Sequence, residues 1–197
     1  MTTPPTLEAY RQDLWARLDQ AITTPGAPFQ TLALATTFDG QPEARLLVLR
    51  ALDQQARRLT HYADRRSAKI AQLEAQPRVC WLGWDPGAQL QLRLYGSARL
   101  HLDDDRAREA WDSMPASSRL HYSGPHAAGT PIDDPAQAAF AAYGTHENPE
   151  SAAWARNFAL IDTEVDAIDL LHLDRAGHRR AHYQWDGTSW QARWVVP

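Results

Sequence analysis

Cysteine is almost missing from this chain: Cys80 stands alone in 197 residues. One thiol excludes an internal disulfide framework and a cysteine-based metal knuckle. Long hydrophobic runs are missing too. Hydrophobic residues make up 44% of the chain, yet no run approaches the ~20 residues a membrane-crossing helix needs. The opening Met1-Thr-Thr-Pro-Pro5 has neither the basic nor the apolar region of a secretion signal, so a cytoplasmic protein is expected. No strong charge imbalance exists either. The formal net charge is -4 and no basic tail is present, which gives nucleic acid no electrostatic foothold. No Gly-x-Gly-x-x-Gly follows the first expected strand, which disfavours dinucleotide binding of the Rossmann type. Ser117, Ser118 and His121 lack a Gly-x-Ser-x-Gly elbow, so a hydrolase has little support. Among the histidines, His178 and His182 sit four apart in an alternating, strand-like stretch, which would hold them about 13 Å apart, too far for one metal.

What is present reads as many short strands with a few helices. Leu7, Tyr10, Leu14, Leu18 and Ile22 recur at helical spacing, giving an amphipathic helix over 6–22. Strands are predicted at 31–37, 44–52, 59–62, 79–84 and 89–101. The first two are joined by a turn through Asp39-Gly40. Along 89–101, Leu90, Leu92 and Leu94 face one way and Gln91, Arg93 and Tyr95 the other. Helices are predicted at 67–76, with Ser67 as N-cap, and at 103–112, where Asp103, Asp104 and Asp105 favour a helix start rather than a metal. A loop at 113–135 is long enough to suggest a functional role. Helical pattern returns at 135–143 and 151–157. Strands close the chain at 159–173, 179–185 and 190–195, the last two joined through Asp186-Gly187. No repeat or linker divides the chain, so one domain over 1–197 is expected. The fold class is mostly β with peripheral helices: an antiparallel closed barrel rather than a parallel doubly wound sheet.

The chemistry concentrates in Arg45-Leu46-Leu47-Val48-Leu49-Arg50 and in Arg65-Arg66-Ser67-Ala68-Lys69. Arginine at both ends of an apolar strand is costly without a partner. A second cationic cluster with a hydroxyl, at a helix start, adds the donors that bind phosphate strongly. A phosphorylated cofactor satisfies both. Arg57 and Arg58 join the local excess of charge, but Arg57 lies off the strand and its removal is expected to matter less.

In order and spacing, these anchors resemble the pyridoxamine 5′-phosphate oxidase-like family, the FMN-binding split barrels. The resemblance runs from about 41 to 122 and again from 179 to 197. It rests on Arg45 to Arg50, His61-Tyr62, Ser67-Ala68-Lys69, Gln76-Pro77-Arg78-Val79, Gln91 to Gly96, Pro115 with Ser118, Arg180-Ala181-His182 and Trp190 to Pro197. The resemblance implies an antiparallel split β-barrel with FMN as cofactor. Arg45 and Lys69 would hold its phosphate, helped by Ser67 and Arg66. The backbone of Leu46, Leu47 and Val48 would lie along the ring system, with Arg50 and Tyr62 beside it and Gln91 at the polar edge. It further implies a homodimer with flavin at the interface, and the 113–131 loop as a contributor to the site.

The departures from the family are as informative. Where pyridoxamine 5′-phosphate oxidases hold the substrate phosphate with Lys, Tyr, Arg and Ser, this chain has Arg50, Ala110, Met114 and Ser118. Arg119 is the candidate replacement cation. Arg180 and His182 match the pair that contacts the substrate ring, whereas a later arginine is Gln184 and an aromatic is Asp174. The resemblance therefore implies a divergent branch: an FMN-dependent oxidoreductase acting on a small substrate. The alternatives are the vitamin B6 enzyme with an altered phosphate grip, and a non-enzymatic flavin-binding protein.

Overall fold

The computed structural model describes residues 6–140 and 151–197. The opening pentapeptide and the 141–143 end of one expected helix lie outside the described residues. Helix α1 (Leu7–Thr23) begins where the Thr6 hydroxyl accepts a hydrogen bond from Ala9 N at 3.1 Å. Its buried stripe, Leu14, Trp15, Leu18 and Ala21, faces the barrel core.

The strands are β1 (Thr31–Phe38), β2 (Gln41–Asp53), β3 (Arg58–Asp64), β4 (Arg78–Asp85), β5 (Leu90–His101), β6 (Phe158–His172), β7 (Arg179–Trp185) and β8 (Trp190–Val195). They form one antiparallel sheet in the order β3-β2-β1-β4-β5-β6-β7-β8. An additional β3–β6 pairing closes the first six into a barrel. The expected fold class is therefore the observed one. Helix α2 (Ala68–Ala75) connects β3 to β4, and α3 (Asp105–Ser113) follows β5. The 113–135 loop folds into short helical turns at Ala116–Arg119 and Leu120–Tyr122.

Strand β6 makes the split. Its first half, Phe158 to Glu164, pairs with β3, while Ala167 to His172 pairs with β7. Between them the register with β5 jumps, Tyr95 facing Ala167 and Gly96 facing Val165, so Asp166 is an extra residue. Such a bulge bends the strand and increases its twist. The β2–β3 turn wedges into the opening. Val165 N donates to Arg57 O at 2.8 Å, and the Arg57 guanidinium lies 4.0 Å from the Trp185 ring centroid. Arg57 also pairs with Glu164. It is a structural residue, so its substitution is not a neutral comparison for cofactor binding.

Alternation in β5 holds as read: Leu90, Leu92 and Leu94 are buried, while Gln91, Arg93 and Tyr95 are half-buried on the outer face. On β3, His61 occupies an inward position with no exposure and is stacked on Trp81, the ring centroids 3.7 Å apart and 10° from parallel. Neither ring nitrogen has a hydrogen-bond partner among the described residues. Burial, aided by the charge of Arg50, lowers its pKa to about 3. The unfolded chain thus takes up a proton near pH 6.5 that the folded chain refuses. Stability contributed by neutral His61 is full above pH 6.5 and is lost as pH falls toward about 3. His61→Phe is expected to be more stable than the parent by about 3 kcal/mol at pH 4, with a much smaller difference at pH 7. Urea unfolding at both pH values checks this. An unchanged difference between the two would contradict it.

A satellite core forms around Trp111, Met114, Tyr122, Trp154 and Phe158. Buried Asp162 fastens α3 above it, accepting from Thr60 Oγ1 at 2.6 Å and Arg106 Nε at 3.0 Å. This layer brings residues 113–122 beside Arg50 of β2 and Tyr62 of β3.

Candidate functional site

Arg45 lies on the inward-facing side of β2, across from buried Leu34. Its NH1 donates to Thr36 Oγ1 at 2.6 Å, and its NH2 to Gln72 Oε1 at 2.8 Å and Glu43 Oε2 at 2.7 Å. The guanidinium is thereby fixed by β1, β2 and α2 together. Gln72 is itself buried and donates to Glu43 at 2.9 Å. From the first turn of α2, Lys69 Nζ donates to Ser67 Oγ at 2.8 Å. No carboxylate pairs with Lys69 among the described residues. Burial lowers the Lys69 pKa, the nearby charge of Arg45 lowers it further, and Asp64 opposes both.

Two cations thus stand near one another, and the charge of Arg45 disfavours that of half-buried Lys69. A dianionic phosphate between them reverses that penalty, and both residues fit such a group. Ser67 departs from the sequence expectation. It sits at the N-cap position of α2 but makes no side-chain cap. Its hydroxyl donates to Asp64 O at 2.6 Å, so it serves a phosphate only by rotating. Arg66 is engaged elsewhere. It forks onto Asp64 at 2.7 and 3.0 Å and donates to Gly124 O at 2.8 Å, tying down the loop. Arg65 pairs with Asp103 at 2.9 Å.

Arg50 projects at the bulge where β2 pairing to β3 shifts between Leu49 and Ala51. Its guanidinium lies 5.7 Å from the Tyr62 ring centroid and has no ion pair among the described residues. Arg50, Tyr62, Met114, Ser118 and His121 line a pocket of about 190 Å³. Arg119 does not join them. Its Nε donates to Met114 O at 3.0 Å and its NH2 to Asp112 O at 2.8 Å, closing the end of α3. The candidate replacement cation is therefore spent on the backbone. Leu46 is 70% exposed on the outer face of β2, with Leu47 and Val48 half-buried beside it.

The remaining expected residues lie on another part of the sheet. Gln91 faces Trp84 and Leu171 across β5, and Arg180 and His182 lie on β7. Three strand spacings, about 14 Å, separate β2 from β5 along the sheet. Arg180 forks onto Asp169 at 3.0 and 2.8 Å, and His182 Nε2 stands 3.3 Å from the same carboxylate. Arg93 pairs with it as well. Sequence reasoning missed Asp169 as a site residue. Its signal was a lone acid within the apolar run Ala167-Ile168-Asp169-Leu170-Leu171. One chain therefore brings together Arg45, Ser67 and Lys69, places Arg50, Tyr62 and Ser118 in a pocket, and holds Gln91, Arg180 and His182 apart from both.

The closed six-strand barrel and its split together give the split-barrel fold. Residues 10–102 match the family model described as pyridoxamine 5′-phosphate oxidase, FMN-binding domain. Over that segment the chain is similar to this FMN-binding domain, and the match supports a flavin as its cofactor. A pyridoxine/pyridoxamine 5′-phosphate oxidase from Pseudomonas paraeruginosa is 36% identical over 81 residues, 40% of this chain and 37% of that protein. Its counterpart from Leptospira interrogans is 26% identical over 103 residues, 52% of this chain and 47% of that protein. The matches thus span less than half the length of these curated relatives. A pyridoxamine 5′-phosphate oxidase-related, FMN-binding protein from Nostoc punctiforme superposes with a TM-score of 0.75 at 24% identity, covering 100% of both chains. PhzG from Burkholderia lata, solved with tetrahydrophenazine-1-carboxylic acid, gives 0.71 at 18% identity, covering 98% of this chain and 94% of that one. Both superpositions establish the shared fold.

Proposed function

We propose that the chain is a single-domain, FMN-dependent oxidoreductase acting on a small substrate, working as a homodimer. The observation that carries the reading is the proximity of Arg45 to half-buried Lys69, with no acid paired to Lys69 among the described residues. FMN supplies the electron-pair chemistry when bound; the protein supplies placement. Arg45 and Lys69 hold the phosphate, with Ser67 adding its hydroxyl after rotation. Arg66 acts one step back by anchoring Gly124 and the loop. The exposed outer strand at Leu46, Leu47 and Val48 offers backbone and side-chain surface to the ring system, bordered by Arg50 and Tyr62. Gln91 reaches the polar edge, and Arg180 and His182 orient substrate, across the interface between two copies.

The dimer follows from the gap between the two halves of the site. Leu46, Leu82 and Trp84 are 70%, 42% and 43% exposed on the outer faces of β2 and β4, between the cationic strand and the β5–β7 wing. An apolar patch in that place favours a second copy, which brings one protomer's β2 toward its partner's β7. Leu46→Glu is therefore expected to yield monomer by light scattering and to weaken FMN binding at least tenfold. A monomeric parent, or a monomeric variant with full FMN affinity, would contradict the shared site.

The vitamin B6 enzyme is the weaker reading. Ala110 and Met114 are buried in the satellite core, and Arg119 is turned onto backbone carbonyls, so among the described residues Arg50 is the only guanidinium in its pocket. Loss of a partner in a buried charged hydrogen bond costs about 2–5 kcal/mol. The protein is expected to bind FMN with a flavin absorption spectrum and to oxidise pyridoxamine 5′-phosphate poorly. Efficient turnover at low micromolar substrate would restore the vitamin B6 reading.

A further inference from the structure

A row of polar side chains crosses four strands on the outer face of the sheet. Arg93 on β5 faces Asp169 on β6, Asp169 faces His182 on β7, and His182 faces Arg193 on β8. These residues, with Tyr95 and Arg180, line a groove of about 590 Å³, a size that suits a small ring-bearing molecule. Among the described residues, three guanidiniums against one carboxylate leave the groove with two uncompensated positive charges.

The lone acid is committed. Asp169 has a side chain only 7% exposed and accepts from Arg180 Nε at 3.0 Å and NH2 at 2.8 Å, and from Arg93. Burial alone would raise its pKa, but the Arg180 hydrogen bond and the charges of Arg93 and Arg180 bring it below the ordinary value. Asp186, the acid of the β7–β8 hairpin, is turned into its own loop, accepting from Thr188 N and Ser189 N at 2.9 Å. Arg193 has no ion pair among the described residues. The buried His182 Nε2 atom stands 3.3 Å from Asp169 and makes no hydrogen bond among the described residues.

We propose that this row is an anion grip. The groove takes a flat molecule bearing a carboxylate, bound by Arg180 and Arg193, with Asp169 as the positioning residue that orients Arg180. Two remaining guanidinium edges match the two oxygens of a carboxylate. The clustered lysine, arginine and serine donors that suit a phosphate stand instead at Arg45, Ser67 and Lys69. Tyr95 offers a flat wall for a ring. This inference deepens the oxidoreductase reading by naming its substrate class, and rests on that reading for the role of the groove.

Calorimetric titration with benzoate, benzamide and phenyl phosphate, with and without FMN, tests it. Benzoate is expected to bind at least tenfold more tightly than either other probe in both states, because the row is built by the protein. Arg193→Gln should erase that preference while leaving the melting temperature unchanged. Asp169→Asn should weaken benzoate about tenfold in folded protein, although it makes the groove more positive. Charge alone predicts the opposite sign. Equal binding of benzoate and benzamide, tighter phenyl phosphate, indifference to Arg193→Gln, or a gain in Asp169→Asn would each overturn the proposal. A protein that takes up no FMN yet keeps the benzoate preference would sink the oxidoreductase reading and leave the grip standing.

Discussion

Lys69→Ala is expected to weaken FMN binding about 100-fold, and Arg45→Ala by a similar factor. On the proposed placement, each removes one partner of a charged hydrogen bond to the FMN phosphate at a half-buried place, a loss of about 3 kcal/mol. Arg108→Ala is the matched comparison, since Arg108 is an exposed α3 residue paired with Asp105, and it should leave affinity unchanged. Arg57 cannot serve that purpose because it wedges the barrel split. The pH dependence follows from the same geometry. Burial and Arg45 depress Lys69 in the cofactor-free protein, so it begins to lose its proton below the ordinary 10.5. A bound phosphate favours the charged form and pulls the pKa back up, so affinity falls as pH rises through the cofactor-free value. Fluorescence titration from pH 7 to 10 should show that fall in the parent and none in Lys69→Ala. Equal losses in Lys69→Ala and Arg108→Ala would move the phosphate away from α2.

Gly96→Ala is expected to lower the melting temperature by roughly 10 °C. A Cβ built at Gly96 lies 2.2 Å from Glu164 O and 2.9 Å from Glu164 C. Those are backbone atoms of β6 at the place where the strand leaves β3 and passes to β7. A flexible side chain could swing away; a strand paired on both sides cannot. Overpacking of this kind costs about 3 kcal/mol, and each kcal/mol shifts the midpoint by about 2–4 °C in a domain of this size. Because the bulge at Asp166 sets the angle of the β7 wing, FMN binding should weaken as well. A melting temperature within 2 °C of the parent would show that the split tolerates more room than its geometry suggests.

The barrel was legible because strand periodicity and turn chemistry are local. Asp39 and Gly40 carry the positive φ angles, 49° and 75°, that the β1–β2 hairpin demands. Alternation in β5 fixed which side of Gln91, Arg93 and Tyr95 meets solvent. A closed barrel was readable, but not that β3 and β6 are the strands that close it, since they lie about a hundred residues apart. The cations were legible as a group but not as individuals. Sequence places Arg66 and Lys69 in one cluster; only the fold shows Arg66 spent on Asp64 and Gly124 while Lys69 has no acid among the described residues. In the same way Ser67 is an N-cap by position yet donates to Asp64 O. Arg119 offered itself as a replacement cation and proved to be a backbone clasp. Asp169 escaped notice because an acid in an apolar strand has meaning only beside the arginines that the neighbouring strands deliver.

The most direct test of the central claim compares FMN with riboflavin, which has the same ring system and no phosphate. If Arg45 and Lys69 hold the phosphate, the parent binds FMN at least 100-fold more tightly than riboflavin, and Lys69→Ala narrows that gap to about tenfold or less. Equal affinity of the parent for the two flavins would contradict the account, placing the cofactor without its phosphate at these cations.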